Sequence, residues 1–78
     1  MSDRTFELEV EGAPGALERV LGVVRRRRLG LRRLSVDPLE EGWVVRIIAG
    51  ASEAEATLAL RQFEGLIDVR SARMGAAG

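Results

Sequence analysis

Cysteine, histidine and tyrosine are absent from this 78-residue sequence, and all twelve of its basic residues are arginine. Without thiols or imidazoles the chain has no disulfide, no soft-ligand metal site and few groups that exchange protons near neutral pH. The serines at 2, 35, 52 and 71 have no histidine or lysine to activate them. These absences argue against an enzyme and against a bound metal or cofactor. Aromatic residues are also scarce, being only Phe6, Trp43 and Phe63. No apolar run approaches the ~20 residues of a membrane span and no N-terminal stretch resembles a secretory signal, so the expected location is the cytoplasm. Twelve arginines balance twelve acidic residues, and a net charge of zero excludes a global attraction to nucleic acid or anionic membrane. A chain of this length forms one domain with a small core, which a partner or a second copy would help to stabilise.

What is present is clear periodicity. Phe6, Leu8 and Val10 alternate with Thr5, Glu7, Glu9 and Glu11, the period of two of a strand with one buried face. The segment EGAPG then breaks the pattern, and from Leu17 the spacing of Leu17, Val20, Leu21 and Val24 predicts a helix over about Pro14 to Arg28. Gly30 is the expected stop, and LRRLSVD (31–37) resumes an extended pattern with Leu34 and Val36 on one side and Ser35 and Asp37 on the other. After the turn DPLEEG, the run WVVRIIA is apolar on both faces and predicts a central strand. SEAE at 52–55 is a capping box that starts a second helix, with Ala56, Ala59, Leu60 and Phe63 facing the core and Gly65 after it. LIDVRSARM supplies the last strand. Residues 1–74 are thus expected to form a single domain, with 75–78 (GAAG) a flexible C-terminal tail.

The order βαββαβ predicts an α+β, ferredoxin-like fold, in which a four-stranded antiparallel sheet of order 4-1-3-2 carries two helices on one face. Strands 2 and 4 are then edges, and an open edge is a template for pairing with another copy. Strand 2 carries Leu31, Leu34 and Val36, so a homodimer through that strand is expected.

Four features are weighed for function. The run Arg25 to Arg28 fits the last turn of a helix, where cations interact favourably with exposed carbonyls. An RNA-binding reading would need aromatics on the open face of the two central strands, and Phe6 and Trp43 share the parity of core-facing residues. Glu7, Glu9 and Glu11 stand too far apart along the strand for a closed oxygen cage and fit a solvated face, as does Asp68. In EGAPGA, glycines followed by a helix N-terminus bring backbone N–H groups together, where a small carboxylate could sit. Gly22 lies inside a helix, which predicts close packing there against a strand or a second helix.

The stretches PGALERVLGVVRRRRLGLRRLSVDP, WVVRI and RQFEGLIDV resemble ACT domains, in particular the small regulatory subunit of acetohydroxyacid (acetolactate) synthase in its short, single-domain form. The likeness runs from about Phe6 to Met74. It implies a non-catalytic subunit of branched-chain amino-acid biosynthesis that dimerises side by side and activates a large, thiamine-diphosphate-dependent catalytic subunit. It also implies an amino-acid effector at the interface, between the first loop of one copy, Gly12, Ala13, Pro14, Gly15, Ala16 and Leu17, and the start of strand 2 of the other, Gly30 and Leu31. Valine-responsive members place asparagine in the first loop and just before strand 2, where this sequence has Gly12 and Gly30. A stand-alone ACT homodimer that binds a small amino acid is the alternative the resemblance leaves open.

Overall fold

The computed structural model describes residues 2–76. In chain order the elements are β1 (Ser2–Glu11), α1 (Ala16–Arg26), β2 (Gly30–Leu39), β3 (Gly42–Ala51), α2 (Glu53–Glu64) and β4 (Val69–Ala76). They form one sheet of order β2-β3-β1-β4, the expected 4-1-3-2 arrangement read from the other edge. All its pairings are antiparallel. Phe6, Leu8 and Val10 of β1 pair with Ile47, Val45 and Trp43 of β3. That face is the one buried, together with Ala16, Val20, Val23 and Val24 of α1 and Ala56, Ala59 and Phe63 of α2. Phe6 and Phe63 meet edge to face, with ring centroids 5.3 Å apart. Leu60, expected in the core of α2, is half-buried against it.

Local chemistry explains where each helix begins and ends. The Ser52 side chain accepts from the Glu55 N–H (3.2 Å) and the Glu55 carboxylate accepts from the Ser52 N–H (3.0 Å), which is the capping box the sequence predicts. Helix α1 is shorter than expected at both ends. Gly15, with φ 79°, stands at its N-cap in the left-handed region, so Pro14 belongs to the preceding turn. At the other end Arg28 is left-handed, with φ 54°. The Leu29 N–H donates to the Val24 carbonyl and the Arg28 N–H to the Arg25 carbonyl (both 3.1 Å). These two bonds, with Leu29 and Val24 both buried, form a Schellman closure whose usual residue is glycine. Arg28 therefore ends the helix, and Gly30 is the first residue of β2.

A side chain in the left-handed region costs ~1–2 kcal/mol that glycine avoids. Arg28→Gly is accordingly expected to raise stability by about 1 kcal/mol, or roughly 4–8 °C in Tm for a domain of this size, measured by thermal denaturation. An unchanged or lower Tm would show that the arginine side chain contributes packing that outweighs its backbone strain.

Three further departures are informative. The register between β2 and β3 shifts between Leu31 and Arg33, skipping Arg32, so that Leu31 opposes Ala49 and Leu34 opposes Ile47. This bulge brings two leucines three residues apart onto the same face, which strict alternation would forbid. Gly22 is not packed against a strand or helix as expected: an added Cβ would meet only the Arg26 guanidinium, at 3.1 Å. Finally, Gly75 and Ala76, expected in the tail, extend β4 opposite Thr5 and Arg4. Positions 77–78 of that expected tail lie outside the described residues. No helix among the described residues is long and apolar enough to cross a membrane.

Candidate effector site

The first loop is held at one end of the sheet by two neighbouring segments and a local turn. The Glu11 N–H donates to the Asp68 carbonyl (2.8 Å), the Gly12 N–H to the Glu41 carbonyl (3.3 Å) and the Ala13 N–H to the Glu11 carbonyl (2.8 Å). Arg70 adds bonds to the Glu41 carbonyl (3.1 Å) and the Glu11 carboxylate (3.4 Å). The strongest anchor is Arg19. Its Nε donates to Asp68 Oδ2 at 2.6 Å and its terminal nitrogen to the Pro14 carbonyl at 3.0 Å. Asp68 is buried, at 7% exposure, and is not the solvated surface charge the sequence suggested. The pair clamps the loop to the segment between α2 and β4. A charge this buried is tolerated because a guanidinium satisfies it. Behind the loop, α1 has no side-chain cap; the Ala16 N–H donates to the Ala13 carbonyl (3.1 Å) and the Arg19 N–H to the Gly15 carbonyl (3.0 Å), which leaves the Leu17 and Glu18 N–H groups of the first turn without a side-chain acceptor.

Gly30 and Leu31 lie elsewhere. Both β1 and β2 run antiparallel to β3, so they are parallel to each other. Gly30 pairs with Gly50, which also faces Asp3, whereas Gly12 follows Glu11 at the opposite end of β1. The ten-residue span of β1 separates the two halves of the expected site by ~30 Å within one chain. A single copy therefore does not bring Gly12–Leu17 and Gly30–Leu31 together.

Around Gly30 the surface has a shallow depression lined by Asp3, Arg28, Gly30, Leu31, Arg32 and Gly50. Arg32 Nε lies 2.7 Å from Asp3 Oδ1. Both charge signs converge there beside a half-exposed leucine, a combination suited to a small zwitterion with an apolar side chain. Asp3, Arg28 and Arg32 escaped the sequence reading: the bulge sets Arg32 and the helix closure sets Arg28, and neither has a periodic signature. Arg27, within the arginine run that ends α1, is half-buried, and its Nε is buried without a partner.

The open face of the sheet is neutralised internally. Glu7 accepts from Arg46 Nε at 2.8 Å and also pairs with Arg73, while Glu11 pairs with Arg70. No group of three metal-ligating side chains converges among the described residues. Hydrogen bonds from Arg46 and then Arg73 hold the Glu7 carboxyl below its ordinary pKa of 4.5. Bonds from the Ser52 backbone and hydroxyl do the same for Glu55. A carboxyl whose folded pKa is depressed contributes stability above its unfolded value, and loses it as pH falls through the folded one. Thermal melts are thus expected to show stability falling below about pH 4.5, with a shallower acid limb in Glu7→Gln. Parallel curves for the two proteins would remove Glu7 from the acid sensitivity.

A 2-3-1-4 sheet with helices packed on one face and a glycine-rich loop behind β1 defines a ferredoxin-like domain. Within that class the chain belongs to the ACT domain family, whose profile matches residues 12–72. Among solved structures it is similar to the ACT domain from GTP pyrophosphokinase of Chlorobium tepidum, with a TM-score of 0.83 at 11% identity over 95% of this chain and 97% of that one. It is also similar to the C-terminal domain of the MgtC protein from Mycobacterium tuberculosis, with a TM-score of 0.77 at 13% identity over 99% and 88%. The regulatory subunit of aspartate kinase from Thermus thermophilus, in its ligand-free form, gives a TM-score of 0.71 at 14% identity over 95% of this chain and 50% of that one. At such identities these likenesses concern the fold. No curated protein matches the chain.

Proposed function

We propose that this ACT domain is the non-catalytic small subunit of an acetohydroxyacid (acetolactate) synthase. In this reading it acts in the cytoplasm in branched-chain amino-acid biosynthesis, as a homodimer that activates a thiamine-diphosphate-dependent large subunit. The observation that carries the regulatory reading is the state of β2. Nine of its ten residues are exposed, and Leu31, Leu34 and Val36, on the core-facing side, are left 47%, 38% and 39% exposed. An uncovered edge of this kind needs a partner strand, and antiparallel pairing with β2 of a second copy covers it. Such pairing sets the start of β2 of one copy near the first loop of the other. The depression around Gly30 then gains the N–H groups behind Gly12, and a small amino acid or carboxylate has a site. The particular enzyme is suggested by the likeness of LERVLGVVRRRR and RQFEGLIDV to that subunit.

A stand-alone amino-acid-binding homodimer is the second reading, favoured by the mixed charges of Asp3, Arg28 and Arg32. RNA binding is disfavoured, since Phe6 and Phe63 are fully buried and Trp43 packs against the core. Valine is expected to bind weakly, because Gly12 and Gly30 lack the side-chain bonds of responsive members. Two such bonds to charged groups are worth ~3–6 kcal/mol, or very roughly 10²–10⁴ in affinity.

The test is reconstitution with the large subunit of the same organism. Activation together with co-purification supports the synthase reading. Calorimetric binding of an amino acid without activation selects the stand-alone dimer, and submicromolar, salt-dependent RNA affinity selects neither.

A further inference from the structure

Five arginines are each matched to a carboxylate: Arg19 to Asp68, Arg32 to Asp3, Arg46 and Arg73 to Glu7, and Arg70 to Glu11. Among the described residues none of Arg25, Arg26, Arg27 and Arg28 has such a partner, although successive cations repel one another. The helix dipole accounts for Arg25 and Arg26, which lie in the last turn of α1. It does not account for the other two. Arg27 is half-buried, and its Nε is buried without an acceptor, a state that is costly for a charged donor. Arg28 stands at φ 54°, where glycine would avoid the strain of a side chain. Both residues thus sit at a local cost at one spot, and strain of this kind gathers at functional surfaces.

The run is also remote from most of the acidic side chains that bring the net charge to zero. It closes α1 beside the start of β2, whereas Glu9 and Glu11 end β1, Asp37 lies near the end of β2, and Glu40 and Glu41 form the turn to β3. Ten-residue strands hold those two ends of the sheet ~30 Å apart, several times the ~8 Å over which exposed charges interact at physiological ionic strength. Of the acidic groups near the run, Asp3 is held by Arg32 and Glu55 caps α2. One end of the domain is therefore basic and the other acidic.

We propose that Arg25 to Arg28 form a docking surface for an acidic segment of a partner protein. Guanidinium groups are planar and take carboxylates two hydrogen bonds at a time. The Arg27 side chain gains an acceptor by swinging away from α1, and the charge at position 28 offsets the strain of its backbone. A nucleic acid fits this end less well. Phe6 and Phe63 are fully buried and Trp43 lies at the start of β3, at the acidic end, so no aromatic ring beside the run offers a base a stacking platform. A strand long enough to gain many phosphate contacts would also reach the acidic end. That the occupant is a protein rests on the regulatory reading above; the test uses no synthase, so either can fail alone.

The test is fluorescence anisotropy of a labelled hexaglutamate peptide titrated with the full chain at low and at physiological salt, beside a labelled short oligothymidylate. Circular dichroism establishes that each variant folds. Saturable binding of the peptide is expected, weakening as salt is raised. Arg26→Gln combined with Arg27→Gln is expected to lower the affinity about fivefold or more, and Arg28→Gly about threefold. Arg61→Gln, in the last turn of α2, is expected to leave it unchanged. Arg28→Gly separates docking from a structural role, because it is expected to raise Tm while lowering affinity. No peptide binding at low salt, tighter binding of the oligothymidylate than of the peptide, unchanged affinity in either arginine variant of the run, or an equal loss in Arg61→Gln overturns the docking surface.

Discussion

Replacing Gly42 with alanine is expected to abolish folding or to cost more than about 4 kcal/mol, a loss reserved for backbone collisions and major core defects. The reason is contact with backbone rather than with a side chain that could move aside. A Cβ at position 42 would lie 2.1 Å from the Val10 carbonyl oxygen and 3.2 Å from the Glu11 Cα. Those atoms belong to β1, which is paired on both sides, so neither strand can retreat without breaking a ladder. A chain of 78 residues has a total stability of only about 4–12 kcal/mol. Gly12→Ala and Gly30→Ala provide the contrast, since their added carbons meet nothing nearer than 3.6 Å; both should fold, with losses of no more than ~1 kcal/mol. Urea denaturation of the three variants checks this. A Gly42→Ala protein within 1 kcal/mol (roughly a factor of five) of the original would refute the close approach of β3 to β1. Because the Gly12 N–H donates to the Glu41 carbonyl, the same approach also seats the first loop.

Phe63→Ala is expected to cost about 3–5 kcal/mol, leaving the chain largely unfolded at 37 °C. Phe63 is fully buried and forms the edge-to-face pair with Phe6 that joins α2 to the central strand β1. Truncation removes the transfer energy of the ring and leaves a cavity that surrounding residues fill only in part. The pair itself should appear in a double-mutant cycle with Phe6→Leu and Phe63→Leu, as a coupling of ~0.5–1.5 kcal/mol. Additive losses in that cycle would assign the whole effect to burial. The alanine variant also bears on regulation, since α2 ends one turn before Asp68, the residue that anchors the first loop through Arg19.

Much of this fold is legible in the sequence, for a physical reason. Alternation in β1, helical spacing in α1 and the reciprocal bonds of Ser52 and Glu55 are short-range, and short-range geometry is what periodicity and capping encode. With the βαββαβ order they led to the strand order and to most of the core. The same reading missed features that depend on contacts between distant segments. Asp68 looked like a surface charge because Arg19, its partner, is forty-nine positions away. Arg28 looked like one of four similar arginines, yet the helix closure gives it alone a left-handed backbone. The helix stop expected at Gly30 is provided by Arg28, and the close packing expected at Gly22 is absent within one chain, where only the Arg26 guanidinium lies near.

The sequence by itself determined the elements, their order, the buried face of β1 and the position of the glycine-rich loop, because each follows from neighbours a few residues apart. Only the tertiary structure decided that a bulge at Arg32 turns Leu31 and Leu34 to the same side. It alone separated the two halves of the candidate site to opposite ends of the sheet and left β2 uncovered. Register, ion pairing and exposure are properties of segments distant in sequence, fixed when the sheet assembles and its side chains compete for the same space.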